Sequence, residues 1–274
     1  MPELPEVETV KRTLSEFIIG RRIMAVTVDK TSVIKIPEAE EFAALVTGRT
    51  FDLIERRGKY LLLNLSGGYL MVVHLRMTGR LVYTKAEEPV KKHTHVIFHL
   101  DNGYELRFTD QRRFGCIWVV AKEERGKISG LCSLGPEPLG VELTRVLLEE
   151  ALSGRQTKIK AFLLDQKMIA GIGNIYADEI LFASGIHPER RAESLNEEEI
   201  DRLYTAIRDI LSTAIQHRGT SFSDYVDGRG EKGAHQFHLC VYQQAGKDCP
   251  RCGSKIIRTK VGSRSSYHCP ECQK

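Results

Sequence analysis

Hydrophobic and polar positions change their spacing twice along this chain. Val7, Val10, Leu14 and Phe17 recur at helical intervals behind Pro5, a residue suited to a first helical turn, until Gly20 stops the run. The period then falls to two. Residues 23–28, 51–55, 60–65, 69–75, 96–100, 104–108 and 116–120 read as strands rich in β-branched and aromatic residues. Ser66-Gly67-Gly68 and Asp101-Asn102-Gly103 supply the turns between two pairs of them. The pattern predicts an antiparallel β domain, a sandwich or barrel, with the first helix packed on it. Two prolines and two glycines within residues 134–140 can continue neither element and mark a linker. Beyond it the spacing is helical again, over 141–152, 157–165, 175–184 and 196–217, with Ser194 or Asn196 capping the last run ahead of Glu197. The polar, glycine-bearing stretch 219–233 reads as a mobile loop.

The end of the chain carries the most specific metal signal. Cys249-Pro-Arg-Cys252 and Cys269-Pro-Glu-Cys272 are separated by sixteen residues, the spacing of a tetrahedral zinc ribbon. Four thiolates leave zinc no open position for water, so one structural Zn2+ is expected and no catalytic one. Residues 255–261 and 265–268 read as two short strands, with Gly262-Ser263-Arg264 as the turn, which puts Arg264 at the tip of a metal-stapled hairpin.

Composition adds bounds. The chain has 274 residues, enough for two domains and a small appendage, and a formal charge of only +4. Its distribution says more: residues 249–274 hold six Lys and Arg against one acid, and residues 155–167 four against one. Of these, the rigid basic hairpin with Arg264 suits phosphate contact. Cys116, Cys132 and Cys240 make no disulfide framework and read as small hydrophobes. Neither a cleavable apolar leader nor a run of about 18 apolar residues is visible, so a cytoplasmic location without membrane contact is expected.

The first residues are Met1-Pro2-Glu3-Leu4-Pro5-Glu6. Removal of Met1 leaves proline's secondary amine as the terminus, beside a carboxylic acid. An α-amino group titrates near 8, roughly two units below lysine, so part of it is nucleophilic at neutral pH. Attack of such an amine on a sugar aldehyde carbon gives an iminium, an electron sink that needs no cofactor. An ordinary capped helix has the same composition, and the rest of the chain decides between them.

With both ends in view, the sequence resembles the formamidopyrimidine-DNA glycosylases, bacterial enzymes that remove oxidised purines such as 8-oxoguanine from DNA. The resemblance rests on Pro2 to Glu6, Arg57-Gly58-Lys59, His74-Leu75-Arg76-Met77, Arg112-Arg113-Phe114-Gly115, Leu134 to Pro138, Gly171-Ile172-Gly173-Asn174-Ile175-Tyr176, and the zinc motif with Arg264. It implies an α+β multidomain fold. An N-terminal antiparallel β-sandwich with flanking helices would span 1–133, a linker 134–140, a helix-two-turns-helix domain with a lesion-capping loop 141–234, and a zinc-ribbon hairpin 235–274. Duplex DNA with an oxidised base or abasic site would lie between the domains of a monomer.

The resemblance also implies roles. Pro2 would be the Schiff-base nucleophile, Glu3 the acid, Lys59 a proton-transfer or phosphate group in β-elimination, and Arg264 the arginine of δ-elimination and phosphate grip. Met77, Arg112 and Phe114 would fill the void left by a flipped base. His74, His93, Arg113, Arg155, Lys160 and Asn174 match DNA-contacting positions, and Ser221 and Tyr225 fall in the capping loop. Two other readings compete: an endonuclease VIII-like enzyme acting on oxidised pyrimidines, and a non-catalytic zinc-ribbon DNA-binding protein. Leu4 and the Met77, Arg112, Phe114 set favour the purine branch, and the intact Pro2, Glu3 and Lys59 speak against a binding module.

Overall fold

A computed structural model describes all residues, 1–274. The stripe behind Pro5 becomes α1 (Leu4–Ile18), whose Val7, Val10, Leu14 and Ile18 are wholly enclosed. Burying four such side chains contributes about 1.5–3 kcal/mol each, which is what holds a helix this short. The chain continues through β1 (Ile23–Val28), β2 (Ile34–Ile36), α2 (Ala39–Val46), β3 (Phe51–Arg57), β4 (Tyr60–Leu65), β5 (Tyr69–His74), β6 (Gly79–Lys85), β7 (Thr94–Leu100), β8 (Tyr104–Asp110), β9 (Cys116–Ala121) and α3 (Ser129–Cys132). Two sheets form, in the orders β1-β7-β8-β6 and β2-β9-β5-β4-β3. Their facing side chains, among them Phe42, Phe51, Leu63, Val73, Phe98, Phe108 and Ile117, make one core with α1.

The expected sandwich is present, with differences that have physical causes. Pairing is antiparallel except for β2 against β9, which is parallel. Residues 34–36 are too few to show a period, and the strand exists only because β9 offers an edge. Spacing also passes over β6 and α2: β6 mixes half-buried polar positions into its alternation, and α2 is eight residues long.

The remaining helices are α4 (Arg145–Leu152), α5 (Ile159–Leu164), α6 (Asn174–Ser184) and α7 (Glu197–Gln216), followed by the hairpin β10 (Ile257–Val261) and β11 (Arg264–His268). The chain divides into two compact units, residues 1–132 with 217–234, and residues 133–216 with 235–274. The stretch 217–234, grouped above with the helical domain, thus packs within the sandwich unit. The expected linker is docked within its own unit: Gly135 N donates to Gln166 O at 2.8 Å, and Pro136 O accepts from Ala170 N at 3.0 Å.

The loop 219–233 is more constrained than its composition implies. Asp227 is buried and accepts from Arg229 N at 2.8 Å, Glu231 N at 3.0 Å and the Arg218 guanidinium. Gly228 bonds on both sides, its N to Thr13 Oγ1 at 2.9 Å and its O from Tyr83 N at 2.9 Å. Arg229 reaches Glu16 and lies 4.7 Å over the Phe17 ring. The second half of the loop is therefore strapped to α1 and β6.

Candidate active site and nucleic-acid interface

In the sandwich unit the site is built on the first turn of α1. Pro2 and Glu3 are buried, whereas Met1 is 50% exposed. Glu6 reaches back to Glu3, its Oε2 accepting from Glu3 N at 2.7 Å, the return arm of a capping box. Its other oxygen accepts from Thr220 N at 2.7 Å. One buried carboxylate thus ties the backbone of Glu3 to the start of the loop 219–233. Gly219, beside it, has φ +78°, and a Cβ there would sit 2.8 Å from Glu6 Oε1, so only glycine lets the loop close on Glu6. Glu6 had no role in the sequence reading, because its second partner lies 214 residues away.

Lys59 stands at the two-residue turn between β3 and β4, where Gly58 takes φ +54° as the first central residue. Arg56 donates to Glu8 Oε2 at 3.0 Å and to Gly58 O at 2.9 Å, which joins α1 to that turn. Burial raises the Glu8 carboxyl, but hydrogen bonds from Lys11, Arg12 and Arg56 outweigh it and leave the group below its ordinary range. Lys59 itself is buried, 6% exposed.

His74, expected among the DNA contacts, is also enclosed at 6% exposure. Its Nδ1 accepts from Arg76 N at 3.0 Å and its ring meets Tyr60 edge-on at 4.5 Å. Burial, with Arg76 and Lys59 adding to it, pushes the imidazolium down to about 3, so the ring is neutral and shapes the loop leading to Met77. Met77 and Phe114 are 41% and 51% exposed. Arg112 and Arg113 are exposed, and the Arg112 guanidinium lies 4.7 Å over the Phe114 ring. Exposed apolar side chains on short loops are what a wedge between bases requires. His93 is half-buried with φ +69°.

Two loop expectations change. Tyr225 is a core residue, 7% exposed, whose hydroxyl donates to Arg218 O at 3.1 Å and lies 3.3 Å from Glu6 O. Ser221 is buried between Tyr225 O and Gly233 N, each 3.0 Å from its Oγ. Both shape the loop from inside. Phe222, which the sequence reading passed over, is the exposed one at 46%.

In the second unit, the four cysteine sulfurs lie within 4.8 Å of one another. Cys249 and Cys272 are 3.8 Å apart, Cys252 and Cys269 3.5 Å. Tetrahedral zinc with bonds of about 2.3 Å needs sulfurs about 3.8 Å apart, so the set fits one structural zinc. The hairpin beside it turns at Gly262-Ser263, one residue shorter than expected, and Arg264, paired with Val261 and exposed, opens β11.

Lys160 is corrected by its burial. It is 0% exposed, with Nζ 2.7 Å from Asp178 Oδ1 and donating to Ser265 O at 2.7 Å, so it has no face left for a phosphate. Asp178 also accepts from Ser266 Oγ and Tyr267 N, both at 3.0 Å. Burial pushes its carboxyl up to about 6 against the pull of Lys160 and these hydrogen bonds. Asn174, a turn earlier on the same face of α6, donates from Nδ2 to Ser265 O at 3.1 Å. This network grips β11 one residue beyond Arg264. Glu179, unremarked in the sequence, accepts from Cys240 N, Val241 N and Tyr242 N at 2.8–2.9 Å and fastens the segment that leads into the ribbon. Arg155 is exposed.

Each unit, taken by itself, carries a distinct feature: buried Pro2 and Glu3 with exposed Met77 and Phe114 on loops in one, a cationic hairpin beside a four-cysteine set that fits zinc in the other. That is the equipment of a DNA glycosylase. Residues 1–117 match the formamidopyrimidine-DNA glycosylase N-terminal domain, residues 134–226 the H2TH domain of the same enzymes, and residues 246–274 the zinc finger found in FPG and IleRS. The chain belongs to the formamidopyrimidine-DNA glycosylase family. It is 52% identical to the formamidopyrimidine-DNA glycosylase of Pelotomaculum thermopropionicum over 100% of this chain and 99% of that one. Among solved structures, a variant of Lactococcus lactis FPG in complex with a Fapy-dG containing DNA superposes with TM-score 0.94 at 35% identity, covering 100% of both chains. Lactococcus lactis Fpg with an abasic site containing DNA gives TM-score 0.93 at 34% identity over 99% of each. No helix is long and apolar enough to cross a membrane.

Proposed function

We propose that this chain is a bifunctional glycosylase and abasic-site lyase that excises oxidised purines from duplex DNA through the amine of Pro2. The observation that carries the proposal is the burial of Pro2 and Glu3 at the start of a helix whose capping carboxylate also holds the loop at Thr220. After loss of Met1, the Pro2 nitrogen attacks the anomeric carbon of the damaged nucleotide. The glycosidic bond breaks, the base leaves with a proton, and Glu3 supplies the acid that opens the sugar. The resulting iminium acidifies the adjacent sugar carbon. Loss of that proton expels the 3′ phosphate, with Lys59 placed to move the proton. A second elimination, assigned to Arg264, expels the 5′ phosphate. Arg112, Arg113, Arg155, His93 and Asn174 position the backbone, and Met77, Arg112 and Phe114 occupy the gap. The chain works as a monomer in the bacterial cytoplasm.

The test is borohydride trapping on duplexes bearing 8-oxoguanine or thymine glycol, with the adduct mapped by peptide mass. A covalent adduct at Pro2 with 8-oxoguanine preferred supports the proposal. A strong thymine glycol preference moves the chain to the pyrimidine branch. Base release without any adduct means water is the nucleophile, and neither reaction leaves a binding module or an enzyme for another lesion.

A further inference from the structure

Asp110 ends β8 and is 0% exposed. Its carboxylate collects three donors: the Thr78 hydroxyl, Arg112 N at 3.2 Å and Gly115 N at 2.7 Å. Its main chain is bound as well, N donating to His93 O at 2.9 Å and O within 2.8 Å of His95 Nε2. Arg112 N lies 3.1 Å from Thr78 Oγ1 too, which closes a triangle between two loops that are 34 residues apart in sequence. One loop carries Met77, the other Arg112 and Phe114.

Both loops are held in shapes that a free chain avoids. Arg76 and Arg113 take φ +54° and +57°, left-handed values that cost a non-glycine residue energy unless its surroundings impose them. Gly115 is obligatory, since a Cβ would come within 2.5 Å of Phe108 Cζ and 3.1 Å of Asp110 Oδ2. A buried carboxylate is costly to enclose, and here three hydrogen bonds, two of them from one loop and one from the other, stabilise it.

We infer that Asp110 is a positioning residue that locks the two wedge loops into one rigid unit, so that eviction of a base from a stacked duplex depends on it while the chemistry at Pro2 does not. The inference rests on the proposed glycosylase activity. A loose wedge fails to hold the gap open, whereas an abasic site in a single strand has neither a stacked base to evict nor a gap to fill.

Asp110→Asn keeps the volume but turns one oxygen into a donor. Whichever way the amide faces, either Gly115 N or the Thr78 hydroxyl loses its acceptor. Thr78→Val removes one hydroxyl donor and leaves the carboxylate, and it serves if the first variant does not fold; Thr78→Ser restores the hydroxyl. Single-turnover excision of 8-oxoguanine from a duplex would be compared with cleavage of an abasic site in a single strand. Loss of one hydrogen bond that acts only in eviction should slow the duplex reaction about tenfold or more. The single-strand reaction should stay within about twofold, and Thr78→Ser should recover the duplex rate. An equal fall on both substrates, or no fall in a folded variant, overturns the inference. Inactivity of the unmodified protein on both substrates would instead refute the glycosylase proposal.

Discussion

Acidification reads out the burial of His74 directly. In the unfolded chain the imidazole titrates near its ordinary 6.5, whereas burial beside Arg76 and Lys59 pushes the folded value down to about 3. Between those values the unfolded chain binds a proton that the folded one refuses. Stability is therefore full above pH 6.5, falls as pH drops below it, and stops falling from this source near pH 3. At pH 5 the unfolded form is favoured by roughly 1.5 pKa units, about 2 kcal/mol, or some thirtyfold in the folding equilibrium. His74→Asn removes the titration and keeps an oxygen to accept from Arg76 N. The chain's one tryptophan, Trp118, lies in β9 with its ring 6.1 Å from that of Tyr60, the ring His74 packs against. Its fluorescence in urea titrations at pH 7.5 and 5 therefore follows the unit that contains His74. The unmodified protein should lose about 2 kcal/mol more than the variant between the two pH values. Equal losses would show that His74 takes up its proton in the folded state and that the enclosure argument is wrong.

Other outcomes follow from the second unit and its hairpin. Lys160→Met should destabilise the protein by about 3–5 kcal/mol, because Asp178 is left enclosed without its cation, and Lys160→Met with Asp178→Leu should recover much of that loss in thermal melts. A single variant within about 1 kcal/mol of the original would mean that water reaches the pair. Arg264→Ala should weaken DNA binding with little change in sequence preference and lower the slope of log affinity against log salt by about one; an unchanged slope removes Arg264 from the phosphate contacts. Chelation of zinc should make the four cysteines reactive towards a thiol reagent and abolish tight DNA binding, and binding retained without metal would make the ribbon dispensable.

Some of this was legible from local spacing. The α1 stripe, most strands of the sandwich and the zinc site each depend on residues a few positions apart, where helical period, alternation and ligand pairing act directly. The end of the chain is the clearest case: two Cys pairs and a turn define the hairpin and the place of Arg264 before any packing is known. Resemblance across seven short motifs then indicated the family and the chemistry at Pro2. Lys160 shows where this stops. The family resemblance implied a DNA contact, but Asp178 and Ser265 enclose the lysine, and Ser265 lies 105 residues away. Tyr225 and Ser221 sit in a polar stretch, yet a core pocket and a backbone turn absorb them. Asp110 and Glu179 carry no local signature, and the capping box of Glu6 with Glu3 does not announce its second partner. Each is a buried carboxylate with a donor brought by a distant segment: Thr220 N for Glu6, the Thr78 hydroxyl for Asp110 and Val241 N for Glu179. Local spacing therefore decided most of the elements, and the resemblance implied the chemistry. Only the tertiary structure decided which charged and polar side chains remain at the surface, because desolvation and pairing depend on neighbours that sequence proximity does not specify.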